Sequence, residues 1–201
     1  MKRIFVITAL TLFMLAFQIS STHALTLSFE PPAQTKFLND LLSVDVVVSG
    51  LDAAGEIVGA YDLDVTYNPA ILGNAALDFG TSLGGPADSF QFSDFSSGRI
   101  DFGEVSYLLD DDLAAIQGDA VTLATLTFKA IGAGFTELTF DSITFPGIDI
   151  KGRAALTLDL NIVNGSVTVN KPDAVPEPTS MLLLASGLVG LVGLRRKFRK
   201  N

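Results

Sequence analysis

The chain has 201 residues, with 22 acidic and 13 basic side chains, no cysteine, no tryptophan and one histidine. Without cysteine there is no disulfide staple, no thiolate metal site and no thiol nucleophile. Lys2, Arg3 and five bases near the C-terminus leave six for the stretch holding all 22 acids, a net of −16 that repels phosphate backbones and excludes nucleic acid binding.

Residues 1–24 read as a secretory signal peptide. Lys2 and Arg3 form its charged start, Ile4 to Phe17 its apolar core, and Thr22-His23-Ala24 puts small residues at the positions that signal peptidase reads. The only histidine, His23, leaves with this peptide. The remainder then has no imidazole base for a Ser-His-Asp or Cys-His set, and zinc or copper is improbable for the same reason. The exported region, residues 25–170, has the length of one ordinary domain.

Within it, period-two alternation dominates and helical periodicity is scarce. Strands are expected at Leu25–Phe29, Leu41–Gly50, Gly59–Tyr67, Leu72–Phe79, Phe90–Phe95, Arg99–Leu108, Val121–Ala130, Gly134–Asp141, Leu156–Ile162 and Gly165–Val169. In Leu41–Gly50, Val44, Val46 and Val48 share a face; in Gly59–Tyr67, Tyr61, Leu63, Val65 and Tyr67 oppose Asp62, Asp64 and Thr66. Turn chemistry separates them at Asn68-Pro69, Gly84-Gly85-Pro86, Ser96-Ser97-Gly98, Gly132-Ala133-Gly134 and Asn164-Gly165. Many short strands with regular turns indicate one all-β, antiparallel sandwich. A single short helix is expected at Asp110–Ile116, opened by acids that suit a helix N-terminus.

Residues 171–180 form a Pro-containing linker holding Val175, Pro176, Glu177 and Pro178. Met181 to Leu194 is uncharged and 14 residues long. As a helix it spans roughly 21 Å, short for a hydrocarbon core of roughly 30 Å, so it is a marginal transmembrane helix. Arg195, Arg196, Lys197, Arg199 and Lys200 follow, and hold that end on the cytoplasmic side.

The order of Pro-Glu-Pro turn, apolar run and basic end resembles the PEP-CTERM sorting signal of Gram-negative bacteria. The resemblance implies recognition by exosortase, an integral-membrane processing enzyme. It also implies cleavage near the motif and delivery from the inner membrane to the cell surface, outer membrane or exopolysaccharide matrix. A plain C-terminal anchor is the alternative.

A second resemblance covers most of residues 25–169. The run Gly59-Ala60-Tyr61-Asp62-Leu63-Asp64-Val65-Thr66-Tyr67-Asn68-Pro69-Ala70-Ile71-Leu72 is similar to an early strand and turn of cohesin-type domains. Ala120 to Ala130, the Gly132-Ala133-Gly134 turn and Leu138-Thr139-Phe140 resemble their later hairpin. This implies a nine-stranded, jelly-roll-like sandwich related to carbohydrate-binding modules. Cohesins bind dockerin modules through one sheet face; none of the matched positions is itself a contact signature.

Two constellations are candidate sites. Asp110, Asp111 and Asp112 with Asp119, or Asp62 and Asp64, offer oxygens to calcium; a solvated loop and a polar strand face are the blander readings. Phe90, Phe92, Phe95 and Phe102 lie in or near a Ser-rich hairpin and form either a binding patch or the inside of a sheet. The acids also admit a carboxylate-dependent glycoside hydrolase, yet no pair of them stands out. The reading is an exported, non-enzymatic β-sandwich presenting one face to a protein or polysaccharide. A carbohydrate-binding module proper is the first alternative and the hydrolase the second.

Overall fold

The computed structural model describes residues 25–141, 148–172, 183–184 and 186–188. The expected signal peptide, the Pro-Glu-Pro motif and the basic end lie outside these residues. The chain divides into two compact units, Met1–Asn170 and Lys171–Asn201. In the second, Leu183, Leu184 and Leu188 are exposed. Among the described residues no helix is long and apolar enough to cross a membrane.

The first unit is a sandwich of two sheets. One has the order β11 (Leu160–Val163), β1 (Leu25–Glu30), β3 (Leu41–Ser49), β8 (Ala120–Ala130), β5 (Leu72–Phe79). The other runs β2 (Ala33–Phe37), β12 (Gly165–Asn170), β9 (Gly134–Phe140), β4 (Ala60–Thr66), β7 (Arg99–Ser106), β6 (Ser89–Ser96), with β10 (Asp149–Lys151) also on β4. Alternation decides which side of each strand faces in. Leu42, Val44, Val46 and Val48 of β3 are buried, as are Tyr61, Leu63 and Val65 of β4. Phe29 stacks on Phe140 with ring centroids 4.2 Å apart, and Tyr67 meets Phe128 edge-on at 5.0 Å; both pairs join one layer to the other. In β8 the alternation slips once. Leu123 and Ala124 are both buried where the register against β3 shifts between Val46 and Val47.

The structure departs from the sequence expectation in four places. The pairing is not purely antiparallel: β1 lies parallel to β11, and β12 parallel to β2. Among the described residues twelve strands replace the nine that the family resemblance implies. No strand was expected at Ala33–Phe37, yet after Pro31 and Pro32, which cannot donate to a ladder and end β1, the chain crosses to the other sheet and forms β2. The strand expected at Leu156–Ile162 shrinks to β11, because a 3₁₀ turn at Arg153–Ala155 holds Ala154 and Ala155 at positive φ and leaves Thr157 only a single bridge to Lys151.

Among the described residues two short α-helices decorate the sandwich, α1 (Leu51–Ala54) and α2 (Asp110–Ile116). Beyond α2, the Gln117 amide acts as a strand surrogate. It accepts from Val58 N at 2.8 Å and donates to Val58 O at 2.7 Å and Ser82 O at 3.0 Å. Three connecting segments are thus tied to one another without a ladder.

Candidate partner-binding face

Cross-strand partners share a face of a sheet. On the seven-stranded sheet the register sets Phe90 beside Val105 and Phe92 beside Gly103. Next along, Asp94 sits beside Asp101 and Ser96 beside Arg99. Across β4, Asp62 is opposite Gly103, Asp64 opposite Asp101, and Asp149 of β10 opposite Asp62. Since Leu63, Val65, Ile100 and Phe102 alternate with these residues and are buried, the whole set points outward. One end of this face is apolar. Phe90 is 55% exposed, Val105 43%, and the Phe90 and Phe92 rings lie 6.4 Å apart. The other end carries the row Asp94, Asp101, Asp64 across three adjacent strands, flanked by Asp62 and Asp149.

Arg99 neutralises only part of that row. Its Nε donates to Asp64 Oδ1 at 2.7 Å and its Nη2 to Oδ2 at 2.6 Å, a bidentate fork on a carboxylate that is nearly inaccessible. Lys151 Nζ pairs with Asp149 at 2.8 Å. Asp62 and Asp101 are left with excess negative surroundings. Partial burial raises the Asp101 carboxyl above its ordinary range, and Asp64 and Asp94 raise it further, against a lowering by Arg99. Burial also raises Asp62, helped by Asp101, Asp64 and Asp149.

These directions predict a pH effect. A carboxyl whose folded value lies above its unfolded one costs stability as pH rises through the unfolded and then the folded value. Asp101→Asn is expected to raise Tm by a few degrees at neutral pH. The gain should disappear once pH falls below the ordinary carboxylate range, where the wild-type group is protonated in both states. Thermal melts of both proteins at neutral and acidic pH check this.

Of the four phenylalanines expected as one patch, the register separates two pairs. Phe90 and Phe92 face outward, whereas Phe95 stands opposite Ile100 on the inner side and Phe102 is 0% exposed. Phe102 is core, meeting Tyr61 edge-on at 6.0 Å. Phe95 keeps 45% exposure because β6 is the last strand of its sheet.

The inner side of the same strands holds a polar knot that the sequence reading missed. Glu104 is 0% exposed. Its Oε1 accepts from Ser89 Oγ at 2.6 Å and Gln91 Nε2 at 2.8 Å, and its Oε2 from the Tyr61 hydroxyl at 3.3 Å. Tyr61 also donates to Leu123 O at 2.9 Å, across the sandwich. Burial foremost, then the Glu104 charge and hydrogen bond, push the Tyr61 hydroxyl far above its ordinary value. The signal was present: in Ile100, Phe102, Glu104 the acid occupies the third inward position.

The aspartates named for calcium are not drawn together. Asp110 Oδ2 accepts from Ala154 N at 2.9 Å, Asp111 lies 4.0 Å from Arg153 Nη1, and Asp119, beyond the far end of α2, accepts from Asp52 N at 3.2 Å. Among the described residues no group of three or more acids is placed to hold a metal ion. A small cavity of about 180 Å³ lies beside the apolar end of the face, lined by Ala60, Val105, Leu108, Leu113 and Lys151 among others.

The family model described as "Cohesin domain" matches residues 32–169, and that described as "PEP-CTERM protein-sorting motif" matches residues 174–197. No curated protein matches the chain. Among solved structures, a non-cellulosomal cohesin from the hyperthermophilic archaeon Archaeoglobus fulgidus is similar at TM-score 0.53 and 16% identity, over 73% of this chain and 90% of that one. The CaCohA2 structure from Clostridium acetobutylicum is similar at TM-score 0.56 and 20% identity, over 74% and 92%. A type I cohesin–dockerin complex from Clostridium thermocellum contains a chain similar at TM-score 0.57 and 13% identity, over 73% and 99%. At these identities the structures share the fold.

Proposed function

Since the chain belongs to the cohesin domain family and carries a PEP-CTERM sorting motif, we propose that it is an exported, non-enzymatic scaffold whose seven-stranded sheet docks a protein module of the dockerin kind. The observation that carries this is the outer face itself. Exposed Phe90 and Val105, with half-buried Phe92 beside them, form an apolar end on the sheet, next to carboxylates that a partner's donors would satisfy. Flat apolar area supplies affinity and the acidic row supplies register and on-rate. The C-terminal motif fits handling by exosortase and release at the surface of a Gram-negative cell.

The test is binding of the purified chain to each dockerin-like module of its source bacterium, with that organism's exopolysaccharide as the competing ligand. The double variant Phe90→Ser/Phe92→Ser should weaken protein binding by roughly 30-fold or more, as expected for truncated aromatic anchors. Tight binding of the polysaccharide with no protein partner would overturn the docking reading in favour of a carbohydrate-binding module.

A further inference from the structure

We infer that β6 is an open strand-addition edge that pairs with the β6 of a second copy of this chain. This goes beyond the docking face, which lies on the sheet's outer surface rather than along its margin.

The two sheets end in β11, β5, β2 and β6, and the three-residue β10 adds a fifth edge on β4. Isolated folds blunt such edges with short strands, proline, lysine or bulges. Four of the five follow that rule, β10 by its three residues. β11 has four residues. β2 has five, directly follows Pro31-Pro32 and carries Lys36. β5 is broken by a register shift between Gly73 and Ala76. In contrast β6 runs eight residues, Ser-Phe-Gln-Phe-Ser-Asp-Phe-Ser, in unbroken register with β7. It holds no proline and no basic residue, and Asp94 is its one charge.

Hydrogen-bond phase tells which backbone groups face the margin. Tyr107 N donates to Asp88 O at 2.7 Å, one pair beyond the Ser89–Ser106 register. Bonded pairs alternate along an antiparallel ladder. Phe90, Phe92 and Asp94 are therefore bonded to β7, whereas the N–H and C=O of Gln91, Ser93 and Phe95 point away from it. Among the described residues no strand covers that margin.

The strand is complementary to itself. An antiparallel pair about a two-fold axis at Phe92 sets Gln91 opposite Ser93 of the second copy, in bonded positions. Phe92 then meets Phe92 on the outer face, and Phe90 lies opposite Asp94, so the two Asp94 carboxylates never face each other. The strongly acidic body opposes the approach of two copies, so association should strengthen as salt screens it.

Sedimentation and backbone hydrogen exchange of the purified full chain test this. Expected is a monomer–dimer equilibrium that tightens with ionic strength. Amides of Gln91, Ser93 and Phe95 should gain protection with protein concentration, while those of Phe90, Phe92 and Asp94 stay protected throughout. Ser93→Pro, which removes only a donor facing the margin, should weaken the dimer at least tenfold. A monomer at all concentrations, or association that leaves the Gln91, Ser93 and Phe95 amides unprotected, overturns the proposal. So does protection of these amides only on adding a different protein. None of these results bears on whether the Phe90/Phe92 face binds a dockerin-like module, which is read from the separate binding experiment.

Discussion

Glu104→Ala should lower the unfolding free energy of the sandwich by about 2–4 kcal/mol. Removing the carboxylate takes from Ser89 Oγ its 2.6 Å acceptor, leaving only Gly85 O at 3.4 Å, and leaves the half-buried Gln91 Nε2 without its partner. A stranded buried donor costs about 1–3 kcal/mol, and the vacated volume adds a cavity term. The Tyr61 hydroxyl retains Leu123 O, so it contributes little to the loss. Glu104→Gln keeps the shape and one acceptor oxygen, and should cost about half as much. Urea unfolding distinguishes the two: the midpoint should fall in the order wild type, Gln, Ala, with the slope unchanged. An alanine variant within about 1 kcal/mol of wild type would show that the knot is not a stabilising element.

The second large effect is expected at Gly103, where interior and binding face meet. A Cβ placed there would lie 2.5 Å from the Phe92 ring and 2.5 Å from the Tyr61 carbonyl oxygen. Gly103→Ala must therefore evict the ring from its seat and prise β4 from β7. A loss of about 1–3 kcal/mol in stability follows, as for other overpacked sites. Binding through the outer face should fall at least tenfold, because Phe92 loses its seat over Gly103 beside Phe90. Adding Phe92→Ala removes the ring clash but not the backbone one, so the double variant should be less destabilised than the sum of the singles. If Gly103→Ala bound partners as tightly as wild type, Phe92 would have no part in docking.

The architecture was legible because alternation is a physical signature of a half-buried strand. Val44, Val46 and Val48, or Tyr61, Leu63 and Val65, face inward as their spacing requires. The helix Asp110–Ile116 and the hairpin around Ser97-Gly98 also lie where the sequence puts them. What escaped was long-range or non-periodic. The parallel pairings β1–β11 and β2–β12 join segments more than a hundred residues apart, and no local pattern encodes a partner. The positive φ angles at Ala154 and Ala155 have no glycine to announce them. The face was half legible. Aromatic residues near a hairpin were visible, but sorting Phe90 and Phe92 from Phe95 and Phe102 needs the strand phase. Asp62 and Asp64 looked like a metal-binding opportunity, yet Arg99 forks onto Asp64 instead.

One connection bears on how the domain withstands pulling. The chain leaves the sandwich at Asn170, the end of β12, and β12 is not an edge: β2 flanks it on one side and β9 on the other. Tension applied between Asn170 and the far strands β7 and β6 therefore loads an inner strand lengthwise. Its bonds to both neighbours must shear together instead of unzipping singly. A sandwich pulled from that end resists unfolding better than one pulled from an edge strand.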